Sequence, residues 1–205
     1  MTTELFPFQK TILSLFDYSG NWSKPYEEAG YNVIRVDKKR GLDVRLVQYM
    51  GSRGAGEQGR CILHGILAAP PCTDFSGSGA QYWPEKDRDG RTLFSLSLVD
   101  ATMRIIAVHA DTLAFWALEN PVGRLRRWLG PPAYSFNPCD FGDPYTKKTL
   151  LWGKFNEPKK NPVEPIKVCS QGSWLMKLGG KSERTKELRS MTPMGFARAF
   201  FEANQ

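Results

Sequence analysis

Residues 11–37 constrain the fold more than any other stretch. Residues 11–16 (TILSLF) form a short continuous apolar run, which reads as a buried strand. Asp17-Tyr18-Ser19-Gly20 follows as a turn. Ser23-Lys24-Pro25 then supplies a helix cap with proline just inside the first turn, ahead of Tyr26, Glu27 and Glu28. Gly30 stops that helix. Residues 32–36 (NVIRV) read as a second strand with Asp37 at its end. Strand, glycine turn, helix, strand and acid in that order describe a βαβ mononucleotide-binding unit.

The rest of the chain continues the alternation. Residues 51–59 are glycine-rich and polar, a loop. Residues 62–69 read as a third strand, ending in Pro70-Pro71-Cys72, and residues 73–90 as a long polar loop. Residues 91–109 place Leu93, Leu96, Val99, Met103 and Ile106 at helical spacing. Residues 113–118 read as a strand ending in Glu119-Asn120-Pro121, residues 122–129 as a short basic helix, and residues 149–152 as another strand. Residues 156–180 are rich in Pro, Lys and Gly and lack a period. Residues 192–203 read as an amphipathic helix with Phe196, Ala199 and Phe200 inward. The expected fold is α/β, a mostly parallel twisted sheet with helices on both faces. In such sheets ligands gather at the carboxyl ends of the strands. Residues 17–20, 70–72 and 119–121 all fall there, so a cysteine and a glutamate are expected side by side over a nucleotide-type pocket.

Composition narrows the function classes. A chain of 205 residues with 24% charged and 12% aromatic residues fits one folded domain and excludes wholesale disorder. No apolar run approaches the roughly 20 residues of a membrane span. Residues 1–10 do not read as a secretory signal. Cys61, Cys72, Cys139 and Cys169 are widely spaced, and Cys61-x-x-His64 has no second ligand pair, so a zinc site is not expected. Free thiols in a reducing, cytoplasmic setting are expected instead. The net charge is +7, with basic clusters at Lys38-Lys39-Arg40, Arg124-x-Arg126-Arg127, Lys147-Lys148 and Lys159-Lys160. Interleaved with Trp and Tyr, they suit a nucleic acid.

Several motifs then fall in a recognisable order. Leu15-Phe16 through Glu27-Glu28-Ala29-Gly30 is similar to a Leu-Phe-x-Gly-x-Gly-Gly turn leading to Glu-x-Ala-Gly, with Tyr18 and Asn21 in place of two glycines. Pro70-Pro71-Cys72-x-x-Phe75-Ser76 is similar to a Pro-Cys-Gln-x-Phe-Ser motif, with Thr73 for Gln. Glu119-Asn120-Pro121 matches Glu-Asn-Val, and Phe141-Gly142-x-Pro144 the lead into Gln-x-Arg-x-Arg, where this chain reads Tyr145-Thr146-Lys147-Lys148-Thr149. Arg189-x-Met191-Thr192-Pro193 and Ala197-Arg198 match a late Arg-x-Leu-Thr stretch. Together these motifs resemble the DNA (cytosine-5) methyltransferase family, over residues 13–200.

The resemblance implies a Rossmann-like methyltransferase fold, with a catalytic and donor-binding core at 1–152, a reduced target-recognition insert at 153–181 and a completing helix at 182–205. It implies transfer of a methyl group from S-adenosylmethionine to cytosine C5 of DNA, either flipped from a duplex or single-stranded. Cys72 would be the nucleophile, Glu119 the acid at N3 and Lys147 the cation near O2 in place of the family's Arg. Phe16, Asp17, Gly20, Trp22, Asp37, Asp43 and Pro70 would surround the donor, with Trp22 stacking on adenine and Asp37 bonding the ribose. Ser76, Ser78, Gln81, Asn120 and Arg124 would meet the substrate. The short insert implies that a partner protein could supply specificity. A non-catalytic nucleic-acid- or partner-binding module on the same fold, and a transferase acting on RNA or with a modified donor, are the alternatives.

Overall fold

The computed structural model describes residues 9–47, 62–168, 172, 174–178 and 182–205. The glycine-rich loop expected at 51–59, together with Cys61 and Cys169, lies outside the described residues.

A six-stranded sheet with the order β2-β1-β3-β4-β6-β5 organises the chain. Its strands are β1 (Lys10–Leu15), β2 (Asn32–Val36), β3 (Ile62–Ala68), β4 (Phe115–Pro121), β5 (Tyr134–Phe136) and β6 (Thr149–Lys154). β1 pairs in parallel with β2 and β3, and β3 with β4. β6 runs antiparallel between β4 and β5, so β6 alone is reversed and the sheet is mixed. The helices are α1 (Lys24–Glu28), α2 (Trp83–Arg88), α3 (Arg91–His109), α4 (Arg126–Leu129), α5 (Trp174–Lys177), α6 (Glu183–Ser190) and α7 (Met194–Ala203).

Alternation along each strand divides the core between the two sheet faces. Leu13 and Leu15 of β1, Ile66 of β3 and Leu118 of β4 pack with Val99 and Ile106 of α3. Their neighbours Ile12, Leu67 and Ala117 pack with Trp22, Tyr26, Phe196 and Phe200, which come from α1 with its lead-in and from α7. Helices therefore cover both faces, as expected. By length and composition alone α3 is also long and apolar enough to cross a membrane. Here it lies on the sheet, with Val99, Thr102 and Ile106 buried.

Register brings the functional segments together. Leu15 lies opposite Val36 on one side and Ala68 on the other, and Ala68 lies opposite Leu118. The chain therefore leaves β1, β2 and β3 along one edge of the sheet, beside Glu119 on β4. β4 extends past its expected end at 118, because β6 holds it: Glu119, Asn120 and Pro121 pair with Leu151, Leu150 and Thr149. Glu119, Asn120 and Pro121 are thus fixed in a ladder. The expected loop at 73–90 also holds a 3-10 turn over Gly77–Tyr82 and the proline-started α2. β5 and α5 fall where no strand or helix is expected, and the helix expected over 182–205 is two, α6 and α7. β5 is three residues on a sheet edge, and α6 is a polar helix without a buried residue.

Candidate active site

A cavity of about 1140 Å³ opens along this edge. One end is walled by Phe16, Asp17, Tyr18, Asp37 and Asp43, the other by Pro71, Cys72, Ser76, Ser78, Tyr82 and Lys147. α6 and the residues after it roof part of it, through Glu187, Arg189 and Thr192.

The β1 turn is built tightly. Buried Asp17 accepts from Ser14 Oγ (2.9 Å), Ser23 Oγ (2.6 Å) and Ser23 N (3.3 Å). Phe16, on the cavity wall, has φ +62°, an unfavourable conformation for a residue with a bulky side chain. Such backbone strain concentrates at binding sites. The Asp37 carboxylate accepts from Lys39 N at 2.7 Å and faces the cavity. Asp43 also lines the cavity, but Arg45 grips it at 2.6 Å, and that guanidinium with the Arg45 N–H lowers its pKa to about 2.

At the other end, Asn120 ties the two chemically loaded strands together. Its Nδ2 donates to Pro70 O at 2.9 Å, two residues before Cys72 and one after Glu119. Burial, then the Glu119 charge, pushes the Cys72 thiol above its ordinary pKa, while Lys147 and Arg189 pull it back. Burial also pushes Glu119 up, with Lys147 opposing. Cys72, Glu119 and Lys147 are therefore close enough to sense one another. Glu119 is not itself a wall of the large cavity. Tyr145, to which the resemblance gave no role, also senses Glu119, and its phenol is held protonated by burial first and the neighbouring acids second.

Several expected contacts are corrected. Trp22 touches the cavity but is only 1% exposed, packed 5.8 Å from Phe200 and 6.0 Å from Phe196, so it has no free face for a purine. Gly20 has φ +77°, but a side chain there would meet the Arg35 guanidinium at 3.0 Å, so its bare face serves packing instead of the cavity. Pro70 is buried off the cavity and contributes its carbonyl to Asn120. Asn120 is fully buried and acts on the chain. Arg124 is 3% exposed and committed to Asp87 (2.8 Å), Asp74 O (2.9 Å) and Thr92 Oγ1 (2.6 Å), leaving it no reach to a substrate. Gln81 is exposed and off the cavity wall, whereas Ser76 and Ser78 line it and bond each other at 3.0 Å.

Sequence reasoning missed Lys86 and Asp74, an ion pair at 3.3 Å that secures the chain after Cys72. Nothing in their spacing marks them as partners before the loop is folded. Among the described residues no group of three or more His, Cys, Asp or Glu could hold a metal. His64 packs its ring against Phe115 and Tyr31.

No protein-family model matches the chain, and a search of curated proteins finds no relative. The class that fold and site define is thus an α/β protein with a mixed six-stranded sheet and a large cavity at the carboxyl edge of its parallel strands.

Proposed function

We propose that the chain is a DNA cytosine-5 methyltransferase using S-adenosylmethionine. The observation that carries this reading is that Cys72 lines the same cavity as Asp37 and senses the buried Glu119 next to it, their two segments joined by the Asn120–Pro70 bond. The order of motifs that resembles the methyltransferase family supports it independently.

Cytosine C5 is a weak nucleophile. Addition of the Cys72 thiolate to C6 makes C5 enamine-like. The ring accepts those electrons when N3 is protonated, and a buried Glu119 held above its ordinary pKa keeps the proton that N3 needs. Lys147 favours the thiolate and would meet the charge that develops at O2. The residues that would hold the donor also line this cavity: Asp37 suits ribose hydroxyls, while Phe16 and Tyr18 would give apolar and aromatic walls. When bound, S-adenosylmethionine supplies an electrophilic methyl group. C5 would take that methyl as the sulfonium's S–CH3 bond breaks and S-adenosylhomocysteine leaves; water would then take the C5 proton, and Cys72 would be expelled as thiolate. Base flipping or a single strand is required to reach C5.

The test is trapping. A DNA oligonucleotide carrying 5-fluorocytosine, incubated with donor and the protein, is expected to give a stable adduct at Cys72, because fluorine cannot leave as the proton does. Cys72→Ser should give none while keeping its circular dichroism. Labelled donor giving neither adduct nor methylated DNA would refute the reading. The tight Arg45–Asp43 pair and the buried Trp22 favour, as second reading, a nucleic-acid-binding module without catalysis.

A further inference from the structure

Beyond the cavity wall, joined to it through Phe75 and Arg124, lies a surface that the chemistry above leaves unused. Tyr82 is 51% exposed and lines the cavity, and Trp128 on α4 is 45% exposed. Arg126 and Arg127 on α4 are exposed; among the described residues neither lies within ion-pair distance of a carboxylate, although Arg127 helps hold the Asp87 carboxyl below its ordinary pKa. The Arg127 guanidinium lies 5.6 Å from the Trp83 ring centre.

This surface is rigidly coupled to the nucleophile's loop. Ser76 and Gly123 form an isolated bridge, Gly77 N donates to Val122 O at 2.9 Å, and Arg124 N donates to Phe75 O at 2.8 Å. Trp128 meets Phe75 edge-on at 5.9 Å, and Phe75 N donates to Cys72 O. Buried Arg124 sits 4.9 Å from Trp83 and 5.9 Å from Trp128, completing the support. A chain seated on α4 therefore lies in fixed relation to Cys72.

We propose that α4 and Tyr82 form the seat of the nucleotides flanking the target, and that this seat selects single-stranded DNA over duplex. The inference rests on the nucleic-acid reading above. Exposed rings offer flat faces, and a base shows its own face only when unstacked. Within a duplex those faces are occupied, and only edges and phosphates remain. Arg126 and Arg127 meet the phosphates between bases stacked on Tyr82 and Trp128. The pairing of exposed cations with exposed aromatics, one of them on the cavity wall, is what a single strand requires.

The experiment is fluorescence anisotropy with a labelled twelve-nucleotide cytosine-containing DNA strand, free or annealed to its complement, and the RNA strand of the same sequence. The single DNA strand should bind at least about tenfold more tightly than the duplex, the scale of one base–aromatic stack. Trp128→Leu should weaken the single strand by about tenfold, and Trp128→Phe should restore most of the loss. Arg126→Gln with Arg127→Gln should flatten the salt dependence by about 0.7 per lost contact. Urea midpoints of these variants confirm that they remain folded. Equal or tighter duplex binding, preference for the RNA strand, or unchanged affinity in folded Trp128→Leu would each overturn the proposal. Because these assays contain no donor, they are distinguishable from the trapping test: an absent adduct with intact single-strand binding refutes catalysis and leaves this seat standing.

Discussion

The side-chain amide of Asn120 donates to the carbonyl of Pro70 at 2.9 Å, spanning strands β4 and β3 just below the candidate nucleophile. Both groups are buried, so water cannot replace the bond. Asn120→Ala should cost about 1–3 kcal/mol, the penalty for stranding a buried carbonyl. Trapping by 5-fluorocytosine should slow as well, since Cys72 follows Pro70 by two residues. Urea denaturation and adduct-formation rates measured side by side check both effects. Unchanged rates would show that the bond serves stability alone.

Glu119 makes stability depend on pH in a definite direction. Its folded pKa is raised by burial, with Lys147 only partly opposing. A raised carboxyl contributes its full stability below the unfolded pKa, and that contribution is lost as pH rises through the folded value. The protein should therefore lose stability at Glu119 as pH climbs above the ordinary glutamate range. Glu119→Gln, which cannot ionise, should denature at higher urea than the unmodified chain at pH 7.5 and at a similar midpoint at pH 4. A variant less stable at pH 7.5 would mean that the carboxylate is net favourable there, and that burial does not dominate it.

Lys147 favours the ionised forms of both Cys72 and Glu119. Lys147→Met should consequently move thiol reactivity toward higher pH, and Lys147→Arg should keep it near the original position. Site-resolved mass spectrometry of iodoacetamide labelling at Cys72, across a pH series, reads this directly because only the thiolate reacts. A profile that does not move in the methionine variant would place the ammonium too far from the sulfur to matter.

How far the sequence carries depends on whether a property is local. The βαβ unit of residues 11–37 was readable because its apolar run, proline-started helix and terminal acid are each written within a few residues. Cys72 and Glu119 could be placed together because strand ends in a parallel sheet share an edge. Arg124 shows the opposite case. In sequence it belongs to a basic cluster, yet folding surrounds it with Asp87, Thr92 and two tryptophans. Its neighbours Arg126 and Arg127 stay outside. Burial separates these three cations, and burial is set by packing from distant segments. β4 outran its expected end for the same reason, since its last residues are paired by β6.

Trp22 is where the resemblance and the structure give different expectations, and one substitution separates them. The indole packs against Phe196 and Phe200, and its Nε1 has no hydrogen-bond partner. Trp22→Ala would open a large cavity at about 3–5 kcal/mol, a large share of the roughly 5–15 kcal/mol that holds a domain together, so loss of donor binding there would report only unfolding. Trp22→Leu keeps most of the apolar volume, removes the stranded N–H and abolishes the aromatic face. If Trp22 is a core residue, the leucine variant should be destabilised by about 1–3 kcal/mol, while its affinity for S-adenosylmethionine by calorimetry stays within about twofold. If the ring stacks on adenine, affinity should fall by up to roughly tenfold, since a stacked aromatic pair is worth about 0.5–1.5 kcal/mol. The packing on α7 predicts the first result. A folded leucine variant with tenfold weaker donor binding would show instead that Trp22 leaves this pocket to meet its ligand.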